Sequence, residues 1–140
     1  MDWRILLLIP LLLLVPRRKL GRYFTLGELT KTKTGKPNVP PAAAVANLQA
    51  LVSYVLDPLR EKLGPIYVTS GYRSKAVNDA LRSQGYQAAK NSLHLQGRAA
   101  DIYSKQYTPA IVYGTLQDMK SEGAPIHQLI EYKGHVHVAI

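Results

Sequence analysis

SLHLQGRAAD, residues 92–101, sets a histidine and a carboxylate seven positions apart. Gly97, between His94 and Asp101, permits a backbone turn that few other residues adopt. The small and apolar residues after it suit a buried strand. Asp101 would then project from a rigid element, and His94 would reach in from the turn before it. The stretch therefore predicts half of a metal site.

EYKGHVHV, residues 131–138, is expected to supply the other half from a strand at the end of the sequence. Side chains alternate along a strand, so His135 and His137 share one face. The opposite face takes Val136, Val138 and Ile140. One face would therefore pack on the core while the other faces the metal.

Three side chains from these stretches are the predicted metal ligands: His94, Asp101 and His137. Two imidazoles and one carboxylate are a ligand set that a catalytic zinc ion takes when it leaves one position open for water. The sequence contains no cysteine, so thiolate ligands and thiolate nucleophiles are excluded. A zinc ion held by nitrogen and oxygen is the expected cofactor.

Three motifs in this order resemble those of a known family. S-x-H-x-x-G-x-A-x-D at residues 92–101 follows SGYRS at residues 70–74 and precedes E-x-x-x-H-x-H at residues 131–137. The pattern resembles the zinc D-Ala-D-Ala carboxypeptidase family of bacterial cell-wall peptidases, whose fold and zinc site the hedgehog signalling domain shares. The resemblance implies a single zinc ion and cleavage of peptide bonds in the stem peptides or crosslinks of peptidoglycan.

Glu131 is the predicted general base. A carboxylate beside a metal-bound water can take its proton as the water attacks the carbonyl, and can return it to the leaving amine. Some members of the resembling family place this acid three positions before the last ligand, where this chain has Gly134. Here the acid lies six positions before it, as in hedgehog domains. The base therefore stays open between Glu131 and His135, which could instead stabilise the oxyanion; His127 is expected at the surface or beside a ligand.

Arg73, at the end of a predicted strand, is expected to act in both binding and catalysis. Its planar guanidinium could hold the substrate's terminal carboxylate or polarise the scissile carbonyl, as an arginine in this motif does in the resembling enzymes. Ser70, Tyr72 and Ser92 are the other predicted substrate contacts. Two roles stay open for Ser92, which could orient His94 through a hydrogen bond or cap a turn.

The periodicity of apolar residues predicts an α+β fold, with helices packed on a small, mainly antiparallel sheet. Strands are expected near residues 66–69, 98–103, 126–132 and 135–139. Helices are expected from Pro41 to about residue 63, over residues 74–84 and over residues 108–123. Pro58 should kink or restart the first helix, with Asp57 as its cap. The side chains expected to pin the start of the body are Tyr23, Phe24, Leu26 and Leu29.

Residues 3–15, WRILLLIPLLLLV, form an apolar run that a basic cluster follows at once. As a helix, it would span roughly 20 Å, short of the ~30 Å hydrocarbon core of a bilayer. An uncleaved membrane anchor, a secretory signal and a helix packed on protein stay open, although no small-x-small cleavage site precedes the cluster. The predicted division is a hydrophobic segment with a basic collar at 1–22 and a catalytic domain at 23–140. The expected location is the membrane or cell envelope, or outside the cell after signal cleavage.

The formal net charge of +9 is shared unequally. Residues 1–22 carry five basic groups against one acid, and residues 23–140 carry thirteen against eight. This balance suits loose attraction to an anionic polymer or simply a surface of solvated lysines. Nucleic-acid binding is not expected, because no interleaved basic and aromatic pattern occurs.

The sequence leaves the type of peptidase open. It does not separate a carboxypeptidase from an endopeptidase, or D,D from L,D bonds, since these depend on the loops of the cleft. A cell-wall enzyme held at a membrane would also suit a lysis protein of viral origin. Two other functions stay open: a zinc-binding module without catalysis, and a membrane-anchored structural protein.

Overall fold

The computed structural model of the protein describes residues 17–140. Its elements in chain order are a long helix α1 (Ala42–Leu63), strand β1 (Tyr67–Ser70), helix α2 (Lys75–Ser83), a 3₁₀ turn (Leu93–Gln96), strand β2 (Ala99–Tyr103), helix α3 (Pro109–Ser121), and strands β3 (Gln128–Glu131) and β4 (Val136–Ala139). The four strands form one antiparallel sheet in the order β1-β2-β4-β3. The predicted α+β class with a small antiparallel sheet is confirmed.

Helix α1 forms the centre of the hydrophobic core. Its apolar residues recur every three or four positions, and those fully buried are Leu48, Leu51, Val52, Val55, Leu56 and Leu59. Pro58 neither ends nor restarts the helix, because a π-helical segment, Val52–Leu56, comes just before it. There the N–H of Asp57 donates to the carbonyl of Val52, five residues earlier. The wider turn lets the chain continue past a residue that has no N–H to donate.

Within residues 17–140, α1 is the one helix long and apolar enough to cross a membrane by length and composition alone. Its apolar side chains lie in the core of this domain, so the helix is explained by packing. The predicted anchor or signal at residues 3–15 lies outside the described residues.

Asp57 has a different role from the predicted helix cap. The backbone is helical on both sides of it, so there is no helix start for its carboxylate to cap. The carboxylate instead accepts hydrogen bonds from the backbone N–H groups of Arg22 (2.6 Å) and Tyr23 (3.2 Å). These bonds hold the start of the described chain on α1.

Apolar side chains near the start of the body are buried as expected: Phe24, Leu26 and Leu29 are in the core and Tyr23 packs against it. The packed body begins earlier, since Leu20 is also buried in the core.

The two faces of the sheet serve different purposes. On the core face, the side chains of Val68, Ala100, Ile102, Val136 and Val138 are buried. The register places Asp101 opposite His137, and His137 opposite Ile130. Directly paired residues share a face, and neighbours along a strand alternate. Asp101 and His137 therefore lie together on the other face, which we call the site face.

The 3₁₀ turn that carries His94 packs directly on α1. It ends at Gly97, whose φ of 72° lies in the left-handed region. A Cβ at Gly97 would also overlap the backbone carbonyl of Ala44 in α1. The turn therefore needs glycine both for its backbone conformation and for the close approach.

A comparison of Gly97→Ala with Gly35→Ala separates the effect of the backbone conformation from the effect of the close approach to α1. Gly35 has a nearly identical φ of 74° but open space around its Cβ position. We expect Gly35→Ala to lower the free energy of unfolding by about 1 kcal/mol, from backbone strain alone. Gly97→Ala should lose clearly more in urea denaturation, because the turn must also move off α1. Equal losses for the two variants would contradict the close packing.

Candidate metal centre

Asp101 lies at the centre of a group of three buried or nearly buried side chains. Its Oδ1 atom is 3.0 Å from Nδ1 of His137 and 3.3 Å from Nε2 of His94. His94 is 2% exposed and Asp101 is 9% exposed. Ligand atoms about 2.0–2.2 Å from a tetrahedral ion lie about 3.3–3.6 Å from one another. The structure thus brings the three predicted ligands together at a spacing that fits a single metal ion.

In each imidazole, one nitrogen faces Asp101 and the other, which we call the outer nitrogen, lies within hydrogen-bond distance of another oxygen. Nδ1 of His94 is 2.7 Å from the carbonyl oxygen of Gly71, and Nε2 of His137 is 3.0 Å from Oε1 of Gln128. Because these oxygens can only accept, the outer nitrogens carry the hydrogens. In the neutral rings, Nε2 of His94 and Nδ1 of His137 then bear lone pairs directed at the Asp101 carboxylate. Two lone pairs and an anionic oxygen around one point need a cation, so the donor set fits a metal.

Arg73 binds the second oxygen of Asp101. Its Nη2 donates to Oδ2 of Asp101 at 3.1 Å, and its Nε donates to Oγ of Ser70 at 2.8 Å. The Arg73 side chain is 12% exposed. A guanidinium has five N–H donors, and these two bonds leave the others available near the metal group. Its backbone N–H also donates to the carbonyl of His94, at 3.0 Å.

The electrostatics of the group favour an ionised Asp101. Burial by itself would raise the pKa of this carboxyl group. Protonated rings of His137 and His94 donate hydrogen bonds to the carboxylate, and these bonds and the ring charges together outweigh burial and hold the pKa well below its ordinary value. Neutral rings offer Asp101 no such hydrogen, and a bound cation would then take the place of the protons. The carboxylate is therefore ready to bind a cation near neutral pH.

The other predicted substrate contacts have structural partners. Ser70 holds Arg73 as described above. Tyr72 is 7% exposed within the hydrophobic core, where burial raises the pKa of its hydroxyl. Ser92 accepts the backbone N–H of His94 at 3.2 Å, which is the turn-capping role, while Gly71 contacts the His94 ring. Contacts of these side chains with substrate stay predictions.

The two predicted general bases, Glu131 and His135, occupy different positions relative to the site face. In the register of β3 and β4, Ile130 pairs with His137, and the next residue of β3, Glu131, pairs with the core-facing Val136. Glu131 is exposed, and the group around Asp101 includes neither Glu131 nor His135 among the described residues. By alternation His135 lies on the site face, where its ring stacks on Tyr132 with centroids 4.7 Å apart. His127 is exposed.

Three contacts around the group were not predicted from the sequence: those of Gly71, Gln128 and Asn38. Asn38 donates to the carbonyl of Tyr72 at 2.9 Å and accepts the N–H of Ser74 at 2.7 Å, so it fixes the backbone on both sides of Arg73. The sequence did contain a signal for Gln128: it lies two positions before Ile130 on β3, so the two side chains share a face of the strand. A backbone carbonyl such as that of Gly71 leaves no signal in the sequence.

Comparison with known proteins identifies the family of this chain. The profile of the family described as Peptidase M15 matches residues 22–139. The chain belongs to the peptidase M15 family. The resemblance to zinc D-Ala-D-Ala peptidases is thereby confirmed at the level of the family. M15 enzymes are metallopeptidases, and the His-Asp-His group of this M15 chain could bind a metal.

A solved structure shows the same fold. The crystal structure of the L-Ala D-Glu endopeptidase ChiX from Serratia marcescens is 24% identical in sequence, with a TM-score of 0.50. The alignment covers 71% of this M15 chain and 86% of ChiX. Among curated proteins, none matches this chain.

The lowered pKa of Asp101 predicts how the stability of the metal-free M15 domain depends on pH. The folded carboxyl group has a lower pKa than the unfolded one, which is about 3.9. The folded state therefore binds fewer protons, and this part of the stability is present above the unfolded pKa and lost as pH falls through and below it. Urea denaturation between pH 3 and pH 7 should show a loss on the acid side that is smaller in Asp101→Asn. The same slope in both proteins would contradict the assignment.

Proposed function

We propose that this M15 peptidase hydrolyses peptide bonds in the stem peptides or crosslinks of bacterial peptidoglycan. It would use one zinc ion, held by His94, Asp101 and His137. The observation that carries the proposal is the arrangement of the two imidazoles, whose outer nitrogens are hydrogen-bonded and whose inner nitrogens face Asp101. Family membership supports peptide-bond hydrolysis. The substrate class is supported by the motifs and by the likeness to ChiX, an endopeptidase for L-Ala D-Glu bonds.

The zinc ion, when bound, would polarise the scissile carbonyl and make a water molecule acidic near neutral pH. The residues of the chain supply positioning. His94 is fixed by the backbone of Gly71, and Asp101 and His137 extend from paired strands. The three proposed ligands would therefore need little rearrangement to bind an ion. Preorganisation of this kind reduces the reorganisation needed during the reaction.

Arg73 would have two tasks. Through Nη2 it holds Oδ2 of Asp101, which leaves Oδ1 directed at the two imidazoles. The donors of Arg73 that bind neither Asp101 nor Ser70 would bind the substrate, either at the oxygen of the scissile carbonyl or at a carboxylate. The proton acceptor would be Glu131 or His135: Glu131 has the chemistry and spacing of the hedgehog motif, and His135 lies on the site face.

Substitution of individual histidines tests the proposed site. His94→Ala and His137→Ala should each prevent stoichiometric binding of zinc at low zinc concentration and reduce hydrolysis of muropeptides by at least about 10³-fold, because two ligands hold the ion poorly. His127→Ala is the matched control, since His127 is exposed outside the group. The measurements are zinc titration and mass spectrometry of the digestion products, with and without a chelator. Full hydrolysis after chelation, or by His94→Ala, would refute the proposal.

A second pair of variants identifies the proton acceptor. Glu131→Gln and His135→Gln each remove one candidate base without changing a proposed zinc ligand. Replacement of the residue that acts as the base should lower kcat by about 10²–10⁴-fold and leave zinc binding unchanged. The other variant should keep most of its kcat. If both retain wild-type kcat, neither residue is the base.

A domain that binds zinc without cleaving muropeptides is the second candidate function. The observation in its favour is the register of β3, which aligns Glu131 with Val136 and not with His137. Wild-type protein that binds zinc but leaves muropeptides of every stem composition uncut would establish it.

The proposed location is the cell envelope, on the basis of the apolar residues 3–15. Leu20 is buried in the core, and the backbone carbonyl of Arg18 accepts the N–H of Leu26 at 2.7 Å. A membrane anchor at residues 3–15 would therefore join the catalytic body with almost no linker, which would keep the active site close to the membrane surface.

A further inference from the structure

We propose that Gln128 is a positioning residue for the metal centre. Its amide oxygen would fix both the orientation of the His137 ring and the tautomer that leaves Nδ1 free to bind the metal. This role rests on the proposed zinc-dependent function, because it concerns the affinity of the same site.

The position of Gln128 follows from strand geometry. It is the first residue of β3 and pairs with Ala139, while Ile130, two positions later, pairs with His137. Residues two apart on a strand share a face, so Gln128 lies on the site face, diagonally across from His137. A long side chain can bridge such a diagonal. Its Oε1 lies 3.0 Å from Nε2 of His137.

The two imidazoles are held by different kinds of group. The outer nitrogen of His94 meets the backbone carbonyl of Gly71, which is present whatever the side chain. The outer nitrogen of His137 meets a side chain. Of these two supports, the one from Gln128 can therefore be removed by a single substitution. Gln128 is also exposed, so its replacement should leave the core intact.

The chemistry of the acceptor predicts the direction of each change. An acceptor at Nε2–H keeps the lone pair on Nδ1 and makes the imidazole a better ligand; loss of such a partner typically weakens metal binding by about 10- to 100-fold. Glutamate has the same length and offers a charged acceptor, which forms a stronger bond. Asparagine offers the same amide on a side chain one methylene shorter, and leucine offers no acceptor.

The test measures zinc affinity of the full-length protein by competition with a chromogenic chelator, with zinc alone as the probe. Gln128→Leu and Gln128→Asn should bind zinc at least about 10-fold more weakly than wild type. Gln128→Glu should bind as tightly as wild type or more tightly. Gln117→Leu is the matched control, since Gln117 is exposed on α3 and lies outside the site motifs; the zinc affinity of this variant should not change.

The melting temperature of the metal-free protein separates positioning from folding. We expect all four variants to melt within a few degrees of wild type, because the substituted positions are exposed. Wild-type zinc affinity in Gln128→Leu would overturn the proposal. Equal weakening in Gln128→Leu and Gln128→Glu would also overturn it, because the acceptor would then be irrelevant. These measurements involve no substrate, so a wild-type protein that binds zinc but cuts no muropeptide would refute the proposed function and still decide the role of Gln128.

Discussion

A buried carboxylate governs the architecture of this protein. Asp101 is placed in the second strand of the sheet, where removal from water would make its charge unfavourable without partners. The chain surrounds it with three: Arg73 donates to Oδ2, and the rings of His94 and His137 meet Oδ1, where they compensate the charge when protonated or when a cation lies between them. Each partner comes from a different element: His94 from the 3₁₀ turn, Arg73 from the segment after β1, and His137 from β4. Contacts with a single carboxylate therefore hold these three elements in place relative to β2. The resulting group presents two nitrogens and an oxygen to a common point, an arrangement that could bind a metal.

The rest of the fold supports this group from behind. The core face of the sheet packs with α1 into one hydrophobic cluster, so the strands that carry Asp101 and His137 have little freedom to shift. The turn with His94 is seated on α1 through the close approach of Gly97 to Ala44. The segment around Arg73 is held by Asn38 and by the carbonyl of His94. Stability and the geometry of the site are thus coupled, because the same contacts that order the backbone also position the three candidate ligands.

Much of this arrangement could be predicted from the sequence, because it depends on local rules. Alternation along strands placed His137 away from the core, and Gly97 marked the turn between His94 and the following strand. The contacts that were not predicted join residues that are far apart in the sequence or whose pairing depends on the strand register. Asp57 accepts N–H groups from residues 34 and 35 positions earlier, which no local pattern indicates. Gln128 contacts His137 only because the exact register of β3 and β4 brings a side chain of that length across the diagonal.

The central claim is that His94, Asp101 and His137 bind one zinc ion together. X-ray absorption spectroscopy at the zinc edge, on full-length protein loaded with one equivalent, tests it directly. The account predicts nitrogen and oxygen ligands at about 2.0–2.2 Å, with multiple-scattering features of two imidazoles. Only one imidazole should remain if a His137→Ala protein is loaded at high zinc concentration. A spectrum with no imidazole contribution, or one that is identical in the wild-type and substituted proteins, would contradict the claim.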